Sequence, residues 1–414
     1  MTDGTLAGTH LVQPVGASPA GLDPGSLEVL DGTLYFQGSD STGEAGWWAS
    51  DGTSAGTHEV NAPGSFPALA ADTAPATLPA TTDSHDVTIG GGVSYAARTA
   101  DTVTAAGNGD TITAASGAVS VTGAAGPLLF VGSAGSDTVR GGQGAVTAFG
   151  AAGGGVYQAG SAGRSILIAG GGNTTLVGAA ASQIFGAASG RDVIGAGSGD
   201  TVAGGAADST ITGGAGGSVI FTGAGTNSIT GASGGGDTIV GGGGQDLVVS
   251  RAGEAVFAGG GATTVQGAAR GADSVVGGAG SLVVYGHGGN MLVVGGAGPS
   301  AIATGTGASL IFAGPGSLLL TEGAGPGQVV LGSGTASITE GTGAVLYDVI
   351  KGQAGGSATI AGFQPGTDQI DLFGYTPSGM SVTASGGSTL IALADGTRIT
   401  LAGVSDPQAA TLIG

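Results

Sequence analysis

A short unit recurs along most of this chain: one to four of Val, Ile, Leu or Phe, bracketed by Gly, Ala, Ser, Asn or Asp. Gly199-Asp200-Thr201-Val202-Ala203-Gly204 and Gly280-Ser281-Leu282-Val283-Val284-Tyr285-Gly286 are examples. Between Gly109 and Gly343 the unit returns about every nine residues, the period of a nonapeptide solenoid. Nine residues hold one short strand and one tight turn. A strand that short is stable only with an equivalent strand above and below it, so stacking must supply both the backbone hydrogen bonds and the core. The expected fold is therefore all-β, a parallel β-solenoid of the β-roll or β-helix kind. Two units per coil give 18 residues, about 15 coils over residues 84–348, and a rod of roughly 70 Å at about 4.8 Å per layer. Phe149, Phe185, Phe221 and Phe257 recur every 36 residues. That interval fits two 18-residue coils or one four-strand coil of 36. The closely spaced turns favour 18, and the rings read as core filling.

Composition agrees with this reading. Glycine makes up 94 of 414 residues, because turns this frequent need positive φ or leave no room for a side chain. Hydrophobic residues still form 41%, which separates the chain from a disordered linker. With 28 acidic against 8 basic residues the formal charge is −20, so nucleic acid and anionic membrane are poor partners. The absence of cysteine excludes disulfides and thiolate metal sites. Residues 274–321 carry no charged side chain, but Gly or Ser interrupts every apolar run, whereas a spanning helix needs about 20 apolar residues in succession. The start of the chain shows neither a basic region nor an apolar run, so no cleaved secretory signal is expected.

Four segments follow: a β-rich segment over 1–65, a Pro/Ala linker over 66–82, the solenoid over 83–348 and a C-terminal β cap over 349–414. In the first, Thr2-Asp3-Gly4-Thr5-Leu6-Ala7-Gly8-Thr9-His10 returns as Ser50-Asp51-Gly52-Thr53-Ser54-Ala55-Gly56-Thr57-His58, preceded by Gly46-Trp47-Trp48-Ala49. This resembles the bacterial E-L-W-x-S-D-G-T-x-A-G-T repeat, which implies a propeller-like β blade. One blade cannot close a propeller, so it must pack on the rod or on another subunit. In the last segment Thr389–Leu393 and Thr397–Leu401 flank Asp395-Gly396, a hairpin signal.

The nonapeptides, followed by Ile360-Ala361-Gly362-Phe363-Gln364-Pro365-Gly366-Thr367-Asp368-Gln369-Ile370-Asp371-Leu372 and the hairpin, resemble the repeats-in-toxin proteins exported by type I secretion. The resemblance covers roughly residues 84–414. It implies an extracellular or cell-surface protein exported without a cleaved N-terminal signal, and calcium held by turn carboxylates and carbonyls. The family pattern G-G-x-G-x-D-x-U-x is met in full by Gly241-Gly242-Gly243-Gly244-Gln245-Asp246-Leu247-Val248-Val249. Calcium ligands implied in this way are Asp246 with Gly241 and Gly243, then Asp137, Asp237 and Asp273, and the 18-spaced pair Asp83 and Asp101. The alternative role for each Asp is a turn former whose side chain caps backbone amides.

Enzymatic chemistry lacks a concentrated site. Lys351 is the only lysine, the arginines are far apart in sequence, and nothing singles out a pair among Glu254, Glu322, Glu340 and the scattered Asp. His10, His58, His85 and His287 show no metal-ligand spacing, and His287 reads as an exposed turn. The expectation is an extracellular structural protein, not an enzyme, that self-associates into a filament, surface layer or biofilm matrix. Assembly contacts are assigned to Trp47 and Trp48 in the blade and to Phe363 and Tyr375 in the cap. The other reading is a secreted, calcium-dependent adhesin that binds cell-surface polysaccharide.

Overall fold

The structure, a computed structural model, describes residues 14–17, 22, 25–30, 33–43, 45–59, 86–114 and 116–405. The 66–82 linker, Asp83, His10 and His85 lie outside them. The chain divides into two compact units, Met1–Thr82 and Asp83–Gly414.

In the first unit, Gly25–Leu30, Thr33–Ser39, Ala45–Ser50 and His58–Glu59 form a four-stranded antiparallel sheet in chain order. Phe36 and Trp48 are register partners, and both are buried. The Ser-Asp-Gly-Thr repeat is a self-capped turn. Asp51 Oδ1 accepts from the Thr53 amide and hydroxyl, each at 2.8 Å, and the buried Ser50 and Thr57 hydroxyls meet at 2.5 Å. A Cβ on Gly56 would stand 2.1 Å from Asp51 Oδ1, which explains the glycine of that motif.

The second unit is a parallel β-solenoid of 18-residue coils with two strands per coil, the shorter of the two coils that the repeats allow. One sheet begins at Asp86–Ile89 and Thr102–Ala105; the other has 16 strands, from Ser94–Ala97 to Gln369–Phe373. Consecutive coils pair in register. In the first sheet the core residues Val193's neighbour Ile194, then Ile211, Ile229, Val248 and Val265 lie one above the next. In the second, Val202, Ile220, Ile239, Val256 and Val275 do the same. Both columns belong to one continuous core, and their members are essentially inaccessible to solvent. Burial of each such aliphatic side chain contributes about 1.5–3 kcal/mol. The β-branched majority also suits a pleated, buried surface.

Glycine sets the layer spacing at the turns. A Cβ on Gly305, Gly323 or Gly341 would stand 1.8, 2.1 or 1.8 Å from the carbonyl oxygen of His287, Gly305 or Gly323 in the coil before it. Any side chain there would push the layers apart.

Past Val345–Ile350 and Ser357–Ala361 the regular coil ends. Arg398–Ala402 runs parallel to Ser357–Ala361 and antiparallel to Ser388–Leu393, which in turn pairs with Met380–Ser385. Ile399 and Leu401 thereby continue the core column, and the hairpin covers the last coil of the first sheet.

Candidate functional site

Two features outside the hydrophobic columns carry chemistry: carboxylates inside the turns, and the outer faces of the two sheets. Asp110, Asp200, Asp237, Glu254, Asp273 and Asp368 each stand two residues before a core aliphatic residue of the second sheet, which points their side chains inward. All six are at most 2–3% exposed. Asp101, Asp137, Asp192 and Asp246 hold the same position in the first sheet and are also buried.

The carboxylates serve the backbone. Asp237 Oδ1 accepts from the Ser218 amide in the preceding coil (2.9 Å) and Oδ2 from the Ala232 amide in its own turn (3.0 Å). Asp200 makes the same two-sided clasp to Ser182 (2.7 Å) and Gly197 (2.6 Å), Asp273 to Glu254 (3.0 Å) and Ala268 (2.7 Å), and Asp368 to Val345 (3.0 Å) and Gln364 (2.6 Å). Asp137 accepts from Val119 (2.9 Å). Each clasp satisfies amides that a tight turn would otherwise leave without a partner, and a charged acceptor makes those bonds stronger than neutral ones.

Among the residues assigned to calcium, Asp137, Asp237, Asp273 and Asp101 are thus engaged with amides or, for Asp101, with the Arg98 amide (2.7 Å) and the Tyr95 hydroxyl (2.8 Å). Asp246 accepts from Thr222 Oγ1 (3.0 Å) and Asn227 Nδ2 (2.9 Å), while Gly241 and Gly243 lie in the turn before it. Among the described residues no group of three or more His, Cys, Asp or Glu is arranged to hold a metal ion. Asp101, Asp137, Asp237 and Asp273 cap backbone amides, whereas Asp246 is held by side chains.

Three carboxylates nevertheless stack on successive coils, Asp237, Glu254 and Asp273, although they are spaced 17 and 19 residues apart. Ser250 Oγ is hydrogen-bonded to Glu254 Oε2 and lies 2.5 Å from Asp273 Oδ1. One hydroxyl proton cannot serve both carboxylates, and Asp273 already accepts two amides. A hydroxyl shared in this way favours the protonated form of one of the two carboxyls. Burial pushes the Glu254 carboxyl up to about 7, and the neighbouring Asp273 and Asp237 charges add to the shift. Burial also raises Asp137, Asp192 and Asp200 against the lowering effect of their amide donors, and Glu322 against Thr304 and Ser309. Glu340 is pushed up to about 7, first by burial and then by Asp368 and Glu322, while its hydrogen bond from Tyr347 opposes the shift.

The remaining assigned residues are dispersed. Trp48 is buried in the blade sheet beside Trp47 in sequence. Phe363 is buried under the last coils, its ring centroid 6.3 Å from that of Tyr347. Tyr375 packs half-buried against the cap and hydrogen-bonds Asp395. His287 is exposed in a turn, as its glycine neighbours predict.

The outer faces differ from each other. Outward positions of the first sheet mix Thr102, Thr104, Thr210 and Thr212 with Arg140, Gln158 and Gln266, and with isolated apolar residues such as Val193 and Leu319. A shallow depression of about 530 Å³ lies on this face over Val283, Ala301, Leu319, Ser337 and Thr359. The second sheet carries Phe149, Ile168, Phe185, Ala203, Phe221, Val240 and Phe257 in one register column, continued by Val276, Val294, Phe312 and Val330. The column beside it runs through Leu129, Thr147, Ile166, Gln183, Thr201 and Val219 to Leu310 and Gln328, again without a charged side chain. The phenylalanines do not fill the core: Phe185, Phe221, Phe257 and Phe312 are 37–45% exposed. Their core partner is the residue before each of them.

No helix among the described residues is long and apolar enough to cross a membrane. Fold and interior define a parallel β-solenoid with amide-capped turns. Comparison with protein-family models, with curated proteins and with solved structures finds no match.

Proposed function

We propose that the protein is an extracellular structural component that self-associates into a filament, surface layer or biofilm matrix. The observation that carries this reading is the uncharged outer surface of the second sheet, continuous over many coils on a chain of net charge −20. Such a surface on a protein of this charge is an interaction surface before it is anything else. The interior supports the same reading, because the buried carboxylates hold turns together and stay out of reach of a substrate. Type I export, suggested by the repeats-in-toxin resemblance, would deliver the chain to the cell exterior.

Sedimentation velocity of the full-length protein over a hundredfold concentration range tests the proposal. Growth of large species with concentration, unchanged by chelator, is expected. A single monomeric boundary throughout would refute it.

A further inference from the structure

We infer that the Phe-bearing outer face of the second sheet is where a second copy of this chain docks, face to face. The inference rests on the self-association proposed above and assigns it a surface. The column Phe149, Ile168, Phe185, Ala203, Phe221, Val240, Phe257 alternates a large ring with a smaller side chain on consecutive layers. With layers about 4.8 Å apart, the rings repeat about every 9.6 Å. They form ridges separated by troughs at Ala203 and Val240. A partner that fills those troughs along their whole length needs ridges of the same period, and a second copy offset by one layer supplies them.

Size and charge point to the same occupant. The apolar column runs eleven layers from Phe149 to Val330, the last of which is buried; the ten solvent-accessible layers to Phe312 span about 45 Å, and a strand of three to four residues is about 10–13 Å wide. That is roughly 550 Å² per partner, so a pair buries on the order of 1,100 Å², above the roughly 1,000 Å² that a specific interface needs. No outward side chain along this stretch is charged, so two chains of charge −20 can approach here without opposing carboxylates. Asp348 ends the column in the next layer, where it accepts from Gln328 Nε2 at 2.7 Å. The first sheet has no such comb, since Arg140, Gln158 and Gln266 interrupt it. Face-to-face pairing is isologous and closes as a two-fold dimer.

The test uses the full-length chain, with sedimentation velocity and negative-stain imaging of the wild type, of Phe221→Lys, and of Phe185→Ala/Phe221→Ala/Phe257→Ala. Val193→Lys on the first sheet serves as control. All these side chains point outward, so the β signal in circular dichroism stays at the wild-type level. The pairing predicts that Phe221→Lys weakens dimer formation about a hundredfold or more and that the triple variant follows, while Val193→Lys assembles like the wild type. Folded Phe variants that assemble like the wild type would overturn this surface and leave self-association standing. A wild type that remains monomeric would remove the self-association reading itself. Should Phe221→Lys lose its β signal, the milder triple Ala variant decides the matter.

Discussion

Replacing Asp237 by Asn tests the role of the buried carboxylates. Asp237 is fully buried, with the Ser218 amide 2.9 Å from one oxygen and the Ala232 amide 3.0 Å from the other. Asn keeps the shape but can present its oxygen to only one of the two. Its NH2 group then faces an amide donor, which leaves one buried N–H without an acceptor at a cost of about 1–3 kcal/mol. The surviving bond also loses its charge assistance. The expected local destabilisation is about 2–3 kcal/mol, or roughly 30- to 150-fold in the opening equilibrium at that turn. Because each coil contacts only its neighbours, the effect stays local. Amide hydrogen exchange reads it directly: the Ser218 and Ala232 amides should lose protection, while amides near Ile311 and Val329 should not. Calcium or chelator should leave the difference unchanged. Equal protection of Ser218 and Ala232 in the two proteins would refute the clasp, and a loss appearing only when calcium is present would support a metal-ligand role for Asp237.

Three further outcomes follow from the same geometry. Gly323→Ala places a Cβ about 2.1 Å from the Gly305 carbonyl oxygen, so the turn must open, and thermal unfolding should show destabilisation of about 1–3 kcal/mol; an unchanged Tm would contradict the layer spacing. The Glu254 carboxyl is raised from 4.5 to about 7 in the folded chain, so folding binds its proton. Its contribution is intact below about pH 4.5 and is lost as the pH rises to about 7, by up to about 3 kcal/mol. Wild type should therefore fall in Tm relative to Glu254→Gln between pH 5 and pH 8, and parallel curves would exclude the protonated glutamate. Asp51→Ala removes the acceptor of the Thr53 amide and hydroxyl; exchange at the Thr53 amide should accelerate, and unaltered exchange would show that the blade turn does not depend on this cap.

Coil and core were legible because the nine-residue period admits one strand and one turn, and the interior residues Val202, Ile220 and Ile239 fall at near-regular intervals. Exact register was not. Val87 and Val103 are 16 residues apart on adjacent coils, Ile220 and Ile239 are 19, and Tyr347 and Ile370 are 23, since turns absorb insertions freely. A search for carboxylates 18 apart therefore misses the stack of Asp237, Glu254 and Asp273. The signal that finds them is local: a carboxylate two residues before a core aliphatic residue, as in Asp237-Thr238-Ile239 and Asp273-Ser274-Val275. The 36-residue Phe rhythm was visible and marks two layers, but its direction was not. In Val219-Ile220-Phe221 three apolar residues run together, and alternation alone leaves open which parity faces the core. Stacking settles it, because Ile220 lies between Val202 and Ile239 and leaves Phe221 outside.

The proposed assembly of this solenoid through its own outer face is tested most directly by negative-stain electron microscopy of the full-length protein in calcium and in chelator. The account predicts the same filaments or sheets in both buffers. Isolated rods in both would contradict it, and rods that fold only with calcium would transfer the case to a secreted calcium-dependent binding module.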